Sequence, residues 1–77
     1  MGARILVVED ERSIRSFIVT NLKRNNFKVL EAERGSEALR LVKLEKPDLV
    51  LLDVRLPDID GFQICKEISS SYPEVSI

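Results

Sequence analysis

Apolar residues in this chain fall into short unbroken runs, separated by longer stretches where they recur every three or four positions. Ile5-Leu6-Val7-Val8 and Leu49-Val50-Leu51-Leu52 are continuous and rich in branched side chains, the pattern of strands covered on both faces. Phe27 to Ala32 reads as a further strand between them. After the first run, Ile14, Phe17, Ile18 and Leu22 mark the apolar side of a helix. Acids precede it, Lys23 and Arg24 lie near its end, and Asn25-Asn26 closes it, as the helix dipole favours. Glu33-Arg34-Gly35-Ser36 is a turn in which Ser36 or a neighbour is expected to cap a second helix. That helix runs to about Glu45, with Ala38, Leu39, Leu41 and Val42 on its apolar side. Lys46-Pro47-Asp48 stops it, because proline cannot continue the hydrogen-bond ladder. The segment Val54 to Gly61 is a loop punctuated by Pro57 and Gly61. A third helix spans Phe62 to about Ser70, with Phe62, Cys65 and Ile68 turned to the core and Tyr72-Pro73 at its end. Glu74-Val75-Ser76-Ile77 reads as the start of a fourth strand.

The alternation of strands and helices predicts an α/β fold with a parallel sheet and right-handed crossovers. If the second and third strands flank the first, the order is 2-1-3 and the first strand is central. A switch point then falls between strands one and three, where ligands bind outside the carboxyl ends.

Size and charge narrow the reading. At 77 residues the chain holds at most one small domain, and such a domain buries only about 60 % of its unfolded surface. Hydrophobic and charged fractions of 44 % and 32 % suit a globular chain, and a net charge of -1 gives no bulk drive toward nucleic acid. Cys65 is the sole cysteine and histidine is absent, so neither an intrachain disulfide nor a usual zinc site is expected. The lone cysteine fits a cytoplasmic setting. No apolar run is long enough to span a membrane. Met1-Gly2-Ala3-Arg4 leads into the first strand without a signal-peptide pattern. Phe17, Phe27 and Phe62 read as core rings. Arg12, Arg15, Lys23, Arg24 and Lys28 read as a solvated face.

The candidate chemistry sits where the two most apolar strands end. Glu9 and Asp10 follow the first, and Asp53 follows the third. Parallel neighbours place their ends roughly 5 Å apart, so three carboxylates would crowd one site. Like charges so close raise one another's pKa, and a hard divalent cation such as Mg²⁺ relieves them. Asp53, held at the end of a buried strand, is the better nucleophile for attack on phosphorus. A plainer reading makes Glu9-Asp10-Glu11 an acidic helix cap and Asp53 a turn residue.

The runs Ile5 to Glu11, Pro47 to Asp53 and Leu56 to Phe62 together resemble the receiver domain of two-component response regulators. The resemblance spans residues 1–77 as a partial receiver domain, βαβαβα plus the start of strand four, and implies a flavodoxin-like fold. It implies Asp53 as phosphoacceptor, with Asp10, Glu9, Asp53 and the Arg55 backbone carbonyl around Mg²⁺ (or Mn²⁺). It also implies that Pro57 and Gly61 shape the loop, and that a sensor histidine kinase supplies the phosphoryl group. The Val8-Glu9-Asp10-Glu11 form with Ile14-Arg15 is most similar to the subfamily with a winged-helix DNA-binding output domain. DNA would then be reached only through that domain, which lies outside this sequence.

Family members continue through a fifth strand and two more helices, with a Ser/Thr after strand four and a Lys after strand five. A segment ending at Ile77 is therefore expected to be impaired in phosphorylation. It is also expected to form homodimers or swapped oligomers through the edge of strands three and four. Two rivals to a phosphoacceptor that is not a turnover enzyme are a non-catalytic structural fragment and a metal-dependent aspartyl phosphohydrolase. Such hydrolases place a second Asp two residues after the nucleophile, where this chain has Arg55.

Overall fold

β1 (Arg4–Val8) has almost no exposed surface from Ile5 onward, which is why its sequence is unbroken rather than alternating. The computed structural model describes residues 2–53 and 56–77. β1 is followed by α1 (Arg12–Arg24), β2 (Lys28–Ala32), α2 (Gly35–Glu45), β3 (Leu49–Leu52) and α3 (Gly61–Ser71). The sheet has the order β2-β1-β3, with β1 parallel to both neighbours, as the flavodoxin-like resemblance implies. Successive side chains of β1 point to opposite faces. Leu6 and Val8 meet Ala38, Val42, Ile64 and Ile68 of α2 and α3. Ile5 and Val7 meet Val19, Ile18, Leu22 and Phe27 on the other face. One strand thus serves both layers, and its carboxyl end projects between them.

Next to β3, among the described residues, the C-terminal segment adds a single parallel bridge, Leu49 to Ser76. Val50 N–H donates to the Ser76 carbonyl at 2.8 Å, Ser76 N–H donates to the Asp48 carbonyl at 3.1 Å, and Val75 is buried in the core.

Helix ends follow their sequences. Asn26 takes the left-handed conformation (φ 68°) that turns the chain back after α1, a role asparagine tolerates. Lys46 does the same after α2 (φ 46°), ahead of the fully buried Pro47.

Two helix faces differ from the periodicity reading. On α1 the sheet-facing residues are Arg15, Val19 and the half-buried Ile18 and Leu22. Ile14 and Phe17 are 48 % and 71 % exposed. The buried stripe therefore keeps Ile18 and Leu22 but turns from Ile14 and Phe17 toward Arg15 and Val19. A stripe with a guanidinium at its centre does not register as apolar. On α3 the buried positions are Gly61, Ile64 and Ile68, not Phe62, which is 73 % exposed, and Cys65 is only half-buried. Here glycine is the reason. Gly35 at the start of α2 lies so close to α3 that an added Cβ would overlap the Ile64 side chain and stand 3.0 Å from the Ile59 Cβ. The close approach of two helices uses residues that add nothing to a hydrophobic count.

Candidate cation and phosphoryl site

The ladder hydrogen bonds run one residue past each strand. Glu9 N–H donates to the Ala32 carbonyl at 3.0 Å, and Asp53 N–H donates to the Val8 carbonyl at 3.1 Å. Both residues are thereby held in sheet register although neither lies within a strand. Glu9, Asp10 and Asp53 converge, each offering a carboxylate oxygen within 4.8 Å of the others. Glu9 is buried, Asp53 half-buried and Asp10 exposed, so the group opens to solvent on the Asp10 side. A cleft of about 350 Å³ lies over it, lined by Glu9, Asp10, Glu11, Ile14 and Asp53.

The acidic triplet divides its work. Glu11 is the helix cap, with its carboxylate accepting from Ser13 N–H at 3.2 Å and Ile14 N–H at 3.1 Å. That leaves Glu9 and Asp10 for the site, so the cap reading holds for one acid of the three. Burial pushes the Glu9 carboxyl up, and the Asp53 charge adds to this against an opposing hydrogen bond from Glu11 N–H (3.0 Å). The oxygen donors fit a hard divalent cation, which would replace mutual repulsion with shared attraction. The carbonyl of Arg55, the expected backbone ligand, lies outside the described residues.

Two further residues shape the site and escaped the sequence reading. Arg15, expected on a solvated face, is buried. Its Nη1 donates to the Glu9 carbonyl (2.8 Å), its Nε to Glu31 (3.2 Å) and its Nη2 to Glu33 (3.1 Å). A charge survives burial when it is paired with opposite charge and hydrogen-bonded, here once through each guanidinium nitrogen.

Asp58, in the loop after Asp53, caps α2 from a distance. Its Oδ1 accepts from Gly35 N–H at 2.7 Å and its Oδ2 from Ser36 N–H at 3.0 Å. Arg34 occupies the cap position without a side-chain bond, so the expected local cap is replaced by one 22 residues away. The loop that follows Asp53 is thus tied to the start of α2. No local signal marks such a partner.

The Ser36 and Gly35 N–H groups hold the Asp58 carboxyl down at about 2, against an ordinary 3.8. A depressed carboxyl contributes stability that is complete above the ordinary value and is lost as pH falls through the depressed one. Asp58→Asn is therefore expected to lower the melting temperature at neutral pH, with the gap closing as pH falls from about 4 toward 2. Thermal unfolding of both chains across that range checks this. Equal melting temperatures at neutral pH would refute the role given to Asp58.

Comparison with known proteins agrees with this geometry. The alkaline phosphatase synthesis transcriptional regulatory protein PhoP of Bacillus subtilis is 47 % identical over 68 residues, 88 % of this chain and 28 % of that protein. Response regulator MprA of Mycolicibacterium vanbaalenii is 39 % identical over 77 residues, all of this chain and 33 % of that protein. The chain thus spans about a third of these relatives. Among solved structures, response regulator TrrA of Thermotoga maritima, crystallised in complex with Mg(2+)-BeF, superposes with a TM-score of 0.91 at 36 % identity, over 97 % of this chain and 64 % of that one. The signal receiver domain of a Luxo repressor protein from Vibrio parahaemolyticus gives 0.91 at 28 % identity, over 99 % and 58 %. Residues 5–77 match the profile of the response regulator receiver domain, and with the 2-1-3 parallel sheet and the acids at its carboxyl end, the chain belongs to that family.

Proposed function

We propose that Asp53 accepts a phosphoryl group, with Mg²⁺ held by Glu9, Asp10, Asp53 and the Arg55 carbonyl. One observation carries the reading: acids from two adjacent strand ends bring carboxylate oxygens within 4.8 Å of each other. The donor is a sensor histidine kinase in the cytoplasm, and the receiver passes its state to a transcription-regulating output domain outside this sequence. Asp53 supplies the nucleophilic oxygen. It attacks phosphorus, the phosphorus–nitrogen bond of the phosphohistidine breaks, the leaving nitrogen takes a proton, and an acyl phosphate remains on Asp53. Glu9 and Asp10 supply the negative charge that retains the cation, which when bound offsets the charge of the phosphoryl oxygens. The backbone bond from Asp53 to Val8 fixes the main chain that carries the nucleophile at the end of the sheet. A phosphohydrolase reading has less support, because Arg55 stands where its second acid would be.

Incubation with phosphoramidate and Mg²⁺ tests this. Intact mass should rise by one phosphoryl group, peptide mapping should place it on Asp53, and a chelator should prevent it. No adduct, or one elsewhere, would support the structural-fragment reading instead, and continuous release of phosphate would support the hydrolase.

We further propose that the 77-residue chain self-associates along β3, where Leu51 is 36 % exposed and the fourth strand is one bridge. Light scattering should show a dimer whose population grows with concentration. A concentration-independent monomer mass would exclude it.

A further inference from the structure

We infer that Arg15 is a positioning residue that aims both Glu9 and Asp10 at the cation; the inference rests on the reading of the acidic cluster as a cation site. Glu9 is pinned at both ends of its backbone. Its N–H lies in the ladder with Ala32, and its carbonyl receives Arg15 Nη1 at 2.8 Å. The carbonyl of Glu9 and the nitrogen and Cα of Asp10 share one rigid peptide plane. Fixing that carbonyl therefore fixes where the Asp10 nitrogen and Cα lie, the point from which its side chain leaves the backbone. A single buried hydrogen bond positions the peptide that joins two of the three acids. The third, Asp53, is placed independently by its own bond to Val8.

The guanidinium is itself immobilised from another element. Nε is held by Glu31 of β2 and Nη2 by Glu33 just after it, at 3.2 and 3.1 Å. Its side chain is 10 % exposed, whereas Glu31 and Glu33 are 47 % and 63 % exposed. The carboxylates act as tethers at the rim and the cation sits in the interior. Three oxygens from three residues meet a planar fork, which a lysine ammonium on a flexible stem does not reproduce. The arrangement links the end of β2, the first turn of α1 and the acidic pair, although neither Glu31 nor Glu33 belongs to the acidic cluster.

The test is Mg²⁺ affinity by calorimetry, in the 77-residue chain, together with amide exchange in metal-free buffer. Arg15→Lys keeps the charge and most of the stem while losing the fork. It should weaken Mg²⁺ binding by about 10-fold, the lower end of what loss of an outer-sphere partner does. Without metal it should speed exchange at the Asp10 and Glu11 amides and leave the buried amides of α3 unchanged. Arg15→Ala should go further if it folds, and the lysine variant decides the matter if it does not. Glu31→Ala with Glu33→Ala should shift affinity in the same direction, because the fork loses its tethers. Val42→Ala, in the core on the other face, controls for general loss of stability and should bind Mg²⁺ as the unaltered chain does. Folded Arg15→Lys with unaltered affinity and exchange overturns the inference and leaves the cation site standing. An unaltered chain that binds no Mg²⁺ removes both.

Discussion

Asp53→Asn takes up no phosphoryl group from phosphoramidate and Mg²⁺, and in metal-free buffer it melts at a higher temperature than the unaltered chain. The first result follows from chemistry, since an amide oxygen is a far poorer nucleophile than a carboxylate and no other described acid occupies the same place at the end of β3. The second follows from the site's electrostatics. Glu9 is buried, its carboxyl is raised by that burial and further by the Asp53 charge, and Asp10 stands within the same 4.8 Å group. Removing one of three like charges relieves repulsion that the fold otherwise carries. The site therefore trades stability for function. Mg²⁺ should reverse the order, because a ligand that binds only the folded chain stabilises it, by about 2.7 kcal/mol at a hundred times its Kd. Intact mass and paired melting curves with and without Mg²⁺ read both halves. A variant that still gains phosphate would move the acceptor elsewhere. One that melts lower than the unaltered chain without metal would mean that the three acids are not in repulsive contact.

Ile64→Ala should remove about half or more of the folding free energy at 25 °C. Ile64 is fully buried and meets Leu6, Val8, Ala38 and Val42 in the larger core, with Gly35 pressed against its outer methyl. Truncating such a side chain to alanine costs about 2–5 kcal/mol, and α2 cannot close the gap without moving the loop tied to it by Asp58. A chain of this length has roughly 4–12 kcal/mol at its disposal by the usual per-residue scale, and the low end is appropriate for so small a core. The folded-to-unfolded ratio should fall by about thirty-fold or more. Leu44→Ala in α2 is the control: Leu44 is 63 % exposed, so the change should stay within about 0.5 kcal/mol. Urea unfolding followed by circular dichroism gives the comparison. An Ile64→Ala midpoint close to that of Leu44→Ala would show that the α2–α3 contact contributes little.

The sheet and the acidic cluster were legible in the sequence because each has a one-dimensional signature. Continuous runs at Ile5–Val8 and Leu49–Leu52 announce strands buried on both faces, and acids at their ends announce what projects from them. The partners of those elements were less legible. Arg15 and Gly61 sit in buried stripes but carry no apolar signal, so Phe17 and Phe62 stood in for them and were placed in the core when they are largely exposed. Asp58 looks like any turn acid until the fold brings it to the first amides of α2, 22 and 23 residues earlier in the chain. Periodicity reports which face of an element is apolar. It does not report which polar residue a distant element has made welcome inside.

The central claim is that Glu9, Asp10 and Asp53 make one pocket for a divalent cation, and a Mg²⁺ titration followed by amide NMR tests it most directly. Saturable shifts confined to residues 8–11 and 52–53 and their ladder partners are the predicted result, lost in Asp10→Asn. Absence of saturation, or shifts centred on another acidic surface with the strand ends silent, would contradict the account.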